Sequence, residues 1–166
     1  MTTTPAPIPD HLQHFPGLSV RRGDQIVAAP EADVAVARTY PTALAKGPWL
    51  DGRRITLLTG ALAVKPGQPV RVIHVVESTR AGDSLYVMGP KPILGEHVDG
   101  KLATAAAAEG GDPLVPTGDY DGRVVPAPAV DYNYDVTEYH LAVGSHTIDW
   151  QLGSLRSNRL VIAVAP

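Results

Sequence analysis

A chain of 166 residues without a single cysteine excludes disulfides, thiolate metal sites and a cysteine nucleophile, and it is long enough to bury about 70% of the surface its unfolded form exposes. A formal net charge of -3, with no basic run longer than Arg21 with Arg22 and Arg53 with Arg54, argues against a surface that tracks nucleic-acid phosphates. Residues 1–9 lack the basic and apolar regions of a secretory leader, and no apolar run approaches the roughly 20 residues that span a bilayer, so the expectation is a soluble, cytoplasmic protein with neither membrane nor nucleic acid as partner.

The chain carries 16 glycines and 16 prolines, a density that interrupts helices and suits short strands joined by turns, so the expected class is all-β. Residues 1–17, rich in proline, read as an extended and loosely attached arm, and residues 18–166 as one domain. Residues 18–20 and 34–36 give weak strand signals, and residues 41–47 resemble one helical turn closed by Gly47 at C′. Residues 55–59 form the next expected strand, and residues 65–68 a turn. Residues 70–76 are almost continuously apolar and β-branched, as a strand buried on both faces would be. Residues 85–88 and 98–102 supply two short strands. Residues 103–118 read as a mobile insertion, because four alanines are too few for an autonomous helix. In the last segment His146, Ile148, Trp150 and Leu152 alternate with Ser145, Thr147, Asp149 and Gln151. That period of two buries one face and wets the other, and Leu160, Ile162 and Val164 restart it after a loop.

Tyr139, Leu141, Gly144, His146, Ile148 and Trp150, followed by Ser157, Asn158, Leu160, Ile162 and Val164, resemble the E-to-F corner and F–G hairpin of immunoglobulin-like domains. Residues 63–77 are similar to the strand, turn and central strand that open such domains. The resemblance covers roughly a quarter to a third of the chain and implies an immunoglobulin-like antiparallel β-sandwich. It lacks the disulfide of antibody domains, and it places His146 where such domains commonly put a corner tyrosine.

Several residue sets point to chemistry. His97, Asp99 and His146, with Arg156 downstream, resemble the iron and 2-oxoglutarate oxygenases, in which two imidazoles and a carboxylate hold Fe(II) and an arginine binds the cosubstrate. The serine that such enzymes place two residues beyond the arginine is Asn158 here, and His97 and Asp99 lie in a turn between Gly95 and Gly100. Asp119 and Asp121, then Asp131, Asn133 and Asp135, start like a Ca²⁺ loop, but Val136 stands where glycine is needed and Ala142 where a closing glutamate belongs. On a strand the same spacing gives a solvated face, with Val130, Tyr132, Tyr134 and Val136 on the other. Ser157, His146 and Asp149 fail as a hydrolytic triad, because residues three apart on one strand face opposite ways. His74 reads as a hydrogen-bonded core residue, and His11 and His14 belong to the arm. Tyr120, Tyr132, Tyr134 and Tyr139 suit either an interface or a core.

The expectation that follows is a binding or assembly module without a cofactor, recognising a protein partner, a ligand or its own copy through loops at one end of the fold. Its recognition residues are expected to be Lys91, Ile93, Glu96, His97, Asp119, Tyr120, Asp121, Tyr132 and Tyr134. Two alternatives stay open. One is the iron oxygenase built on His97, Asp99 and His146; the other is an inhibitor-like domain that caps a partner with a projecting loop at residues 89–95.

Overall fold

The computed structural model describes residues 7–87, 90–106, 111–115 and 123–166. In chain order the elements are a 3-10 turn at Asp10–Leu12, β1 (Ser19–Arg22), β2 (Gln25–Ala28), α1 (Glu31–Ala37), a 3-10 turn at Tyr40–Thr42, β3 (Arg53–Thr59), β4 (Ala63–Val64), β5 (Val70–Ser78), β6 (Ser84–Tyr86), β7 (Glu96–Val98), β8 (Lys101–Leu102), β9 (Val124–Pro126), β10 (Ala129–Asp131), β11 (Thr137–Tyr139), β12 (Gly144–Leu152), β13 (Leu155–Arg156) and β14 (Leu160–Val164). The fold is predominantly β, in several mostly antiparallel sheets, as composition leads one to expect.

Two sheets enclose the main core. In the first, β5 is central: β3 runs along one side from Arg53 opposite Ser78 to Thr59 opposite Val72, and β10 and β11 follow one another along the other. The second sheet has the order β4-β14-β12-β7-β8, with β13 folded back on β12 and only β4 to β14 parallel. Ile55, Leu57, Val72 and Val76 from the first meet Ile148, Trp150, Leu160 and Ile162 from the second. The alternation of β12 holds, with Ile148, Trp150 and Leu152 buried and Asp149 and Gln151 less so.

The continuous apolar run of β5 has a physical explanation in its other face. Ile73 and Val75 enter a second cluster with Leu12, Leu18, Ala37, Tyr40 and Tyr132, so the N-terminal segment is the layer that covers the outside of the first sheet. Residues 7–17 are therefore docked and not loose: Leu12 is buried, and the His11 Nε2 donates to Glu77 Oε2 at 2.7 Å. Residues 34–36, expected as a strand, lie within α1, where Asp33 is buried against Arg71. Gly47 does not close a helical turn in a left-handed conformation. A Cβ there would stand 1.8 Å from the Ile55 carbonyl oxygen, so the residue must be glycine for the chain to approach β3, and its N–H donates to Thr56 Oγ1 at 3.0 Å.

Part of the expected insertion at residues 103–118 lies outside the described residues. Within the described part, Leu114 is buried in the main core, and Asp112 joins Asp83 on the Arg53 guanidinium. Arg53 holds the Asp83 carboxyl down at about 2. Among the described residues no helix is long and apolar enough to cross a membrane.

Candidate functional site

Between β10 and β11 the chain leaves the edge of the first sheet. β10 ends its pairing with Asp131 opposite Val76 and β11 resumes with Thr137 opposite Val72, so residues 132–136 arch over the shorter stretch 73–75 of β5. The segment through Lys91 fills the space. The Lys91 N–H donates to the Asn133 carbonyl at 3.1 Å, the Asp135 N–H to the Lys91 carbonyl at 2.8 Å, and the Lys91 ammonium meets Asp131 Oδ2 at 2.8 Å. Burial pushes the Asp131 carboxyl up, against the opposing pull of Lys91. Asn133 ties in the N-terminal layer, since its Oδ1 accepts from the Ser19 N–H at 3.0 Å while its Nδ2 donates to the Val87 carbonyl at 2.7 Å.

One layer deeper, between the two sheets, His74 and Glu96 are both fully buried. The His74 Nε2 donates to Glu96 Oε2, and Glu96 Oε1 accepts from Thr137 Oγ1 at 2.6 Å and from the Tyr139 hydroxyl at 2.5 Å. Burial works to raise the Glu96 pKa, but the His74 imidazole and the two hydroxyl donors outweigh it and hold the carboxyl below its ordinary value. Burial, reinforced by Glu96, pushes the Tyr139 phenol up. The His74 ring stands edge-on to Trp150 at 5.0 Å, and its Nδ1 has no hydrogen-bond partner.

Above this network a cleft of about 680 Å³ opens between the β1–β2 hairpin, the Pro92–Ile93 segment and residues 135–137. This is within the size of ordinary small-ligand sites. Thr137 belongs to both layers, lining the cleft while donating to Glu96. Arg21 enters from β1 and Asp135 from the arch. Burial raises the Asp135 pKa, with Arg21, His74 and Lys91 pulling it back down. Arg71 also reaches the cleft, but its guanidinium is spent on Asp33 and Glu138, each at 2.7 Å.

The structure redistributes the residues expected to recognise a partner. Lys91, Ile93, Glu96, Tyr132 and Tyr134 are buried, so they form the scaffold beneath the cleft instead of a displayed surface. Of these, Ile93 lines the cleft itself. Tyr132 joins the outer cluster and Tyr134 the main core, because the arch breaks the alternation that would have placed them on one face. With Lys91 and Ile93 buried, the described part of residues 89–95 is no projecting loop. Asp119, Tyr120 and Asp121 lie outside the described residues.

The expected Fe(II) ligands do not converge. Asp99 and Gly100 form the two-residue turn of the β7–β8 hairpin with φ of 52° and 79°, the conformation that an Asp-Gly turn favours. From there Asp99 Oδ2 accepts from His146 Nδ1 at 2.6 Å. His97 pairs directly with Asp149, and residues opposed across a ladder share a face. His97 therefore points to the side of the sheet opposite His146, and its Nδ1 donates to the Gly95 carbonyl at 3.1 Å. Asp131 and Asn133, two of the expected Ca²⁺ ligands, are committed to Lys91, Ser19 and Val87. Among the described residues no group of three or more His, Asp or Glu side chains could hold a metal ion.

His146 donates from both ring nitrogens, to Asp99 and, at 2.7 Å, to the Ala142 carbonyl. The hydrogen bond to Asp99, and then that to Ala142, raise its pKa above the ordinary value. A raised folded-state pKa contributes stability that is present below the unfolded value, near 6.5, and lost as pH climbs through the folded one. The melting-temperature advantage of the wild type over His146→Gln is therefore expected to be largest near pH 6 and to shrink through alkaline pH. Melts of both proteins across that range check it; an advantage that grows with pH would contradict the imidazolium.

Sequence reasoning missed Arg21 and Asp135 as neighbours. The only local trace was Arg21 with Arg22 ahead of Gly23, a basic pair entering a turn. Set against known families, curated proteins and solved structures, the chain matches no family model, no curated protein and no solved structure.

Proposed function

We propose that this chain is a non-enzymatic binding module that takes a small ligand in the cleft between the β1–β2 hairpin, Pro92–Ile93 and residues 135–137. The cleft itself carries the reading: about 680 Å³, lined by the apolar Val20, Ile93 and Val136 together with polar groups such as Arg21, Asp135 and Thr137. His74 and Glu96 are sealed between the sheets, out of reach of a ligand in the cleft. In this reading the two sheets form an immunoglobulin-like sandwich. The His146 donor to the Ala142 backbone supports it, since corner tyrosines of such domains make the same upstream contact.

The test is a thermal-shift screen of a chemically diverse set of small molecules against the wild type and Pro92→Trp. Pro92 is exposed at the cleft, so the indole fills the opening without removing a buried side chain. At least one compound is expected to raise the melting temperature of the wild type and not of the variant. No stabilising compound, or equal stabilisation of both proteins, would overturn the reading.

A further inference from the structure

Two opposite charges face this cleft without meeting. Arg21 and Asp135 both line it, yet they form no ion pair within 4.0 Å, whereas Arg71, Lys91, Arg53 and Arg54 are each seated on a carboxylate. Among the described residues the Arg21 guanidinium has a single long hydrogen bond, 3.5 Å to the Pro90 carbonyl. Among the described residues nothing donates a hydrogen bond to the Asp135 carboxylate, although its own N–H is fixed by the Lys91 carbonyl at 2.8 Å. Arg21 is exposed and Asp135 half-buried, and together in one open cleft they are a pair of docking points.

The charges decide what fits. A bare anion would meet Arg21 but be opposed by Asp135, and a bare cation the reverse; like-charge juxtaposition of this kind is how sites reject a ligand. Arg22 lines the cleft as well, so the hairpin supplies two guanidinium groups for an acidic end of the ligand and Asp135 remains the group that receives a cationic one. Arg71 does not add to them, since Asp33 and Glu138 neutralise it. A molecule carrying both charges satisfies both walls at once. Val20, Ile93 and Val136 leave apolar surface between them for the rest of the ligand.

We propose that Arg21 and Asp135 receive a zwitterion of amino-acid type, its carboxylate on the guanidinium and its ammonium on the carboxylate. A planar guanidinium grips a carboxylate through two parallel hydrogen bonds, which fixes the ligand's orientation as well as its charge. The proposal rests on the cleft being the recognition site of this module.

The experiment is a titration of ¹⁵N-labelled protein with the free standard amino acids and, for each that binds, with the matching amine lacking the carboxylate and acid lacking the ammonium. At least one amino acid is expected to shift the amide resonances of residues 20–23, 93 and 135–137. Its two singly charged analogues are expected to bind at least about tenfold more weakly, as are Arg21→Ala and Asp135→Asn with the intact amino acid. Arg21 is exposed and Asn preserves the shape of Asp135, so unchanged spectra elsewhere will show that both variants fold; Arg21→Lys is expected to retain part of the binding. Equal binding of a singly charged analogue, or full binding by Asp135→Asn, overturns the zwitterion while leaving the cleft as a ligand site. No shift with any amino acid also overturns it, and the wider compound screen then decides separately whether the cleft binds anything.

Discussion

Trp150→Ala is expected to lower the unfolding free energy by about 3 to 5 kcal/mol, the range for truncating a large, fully buried aromatic side chain. Trp150 is 0% exposed at the centre of the second sheet. It stacks edge-on against His74 at 5.0 Å and Tyr134 at 5.4 Å, so it touches the polar network and the arch together. Its indole N–H donates to the Leu94 carbonyl at 2.9 Å, and the truncation leaves that carbonyl without its donor. The surroundings cannot readily collapse into the space, because β12 is held between β7 and β14 on both edges. Chemical denaturation checks it: the midpoint should fall with little change in slope, and an unmoved midpoint would show that the indole contributes no packing.

Glu96→Ala is expected to cost a similar amount, about 3 to 5 kcal/mol, by the separate route of breaking a buried charged pair. Glu96, on β7 of the second sheet, is 0% exposed and is the common acceptor for His74, Thr137 and Tyr139, which all come from the first. Removing it leaves the buried His74 and two half-buried hydroxyls without their acceptor. Because the folded-state pKa of Glu96 is held below its ordinary value, its contribution is present above the unfolded value, near 4.3, and is lost as pH falls through the lower folded one. The wild type should therefore lose stability on acidification more steeply than Glu96→Gln, which has no charge to titrate. Denaturation midpoints of the wild type and both variants between neutral and acid pH measure this. Parallel pH profiles for wild type and Glu96→Gln would show that the carboxylate is not ionised in the fold, and a neutral effect of Glu96→Ala would show that the network carries no stability.

The sequence by itself determined the β-rich class and the strands β3, β5, β12 and β14, whereas residues 98–102, expected as one short strand, are a hairpin turning at Asp99 and Gly100, and His97, expected in the turn, lies on β7. What it determined depends on neighbours: alternation along a strand and β-branched runs. It even indicated that β5 is buried on both faces, though not by what. Residues 34–36 read as a strand for the same local reason, yet they lie in α1, whose Asp33 docks on Arg71 of the first sheet. Only the tertiary structure decided where the polar residues of the site lie. Asp131 and Asn133 have the spacing of a solvated strand face, yet both are buried because Lys91 and Ser19 arrive from distant parts of the chain to pair with them. Glu96, expected in an exposed loop, is buried for the same reason, its charge offset by His74 and two hydroxyl donors. Arg21 and Asp135 come to one cleft from opposite ends of the chain. Periodicity reports the average cost of burying a side chain, whereas a charge is buried or left open according to its through-space distance to a partner, and that distance is set by the pairing of strands far apart in sequence.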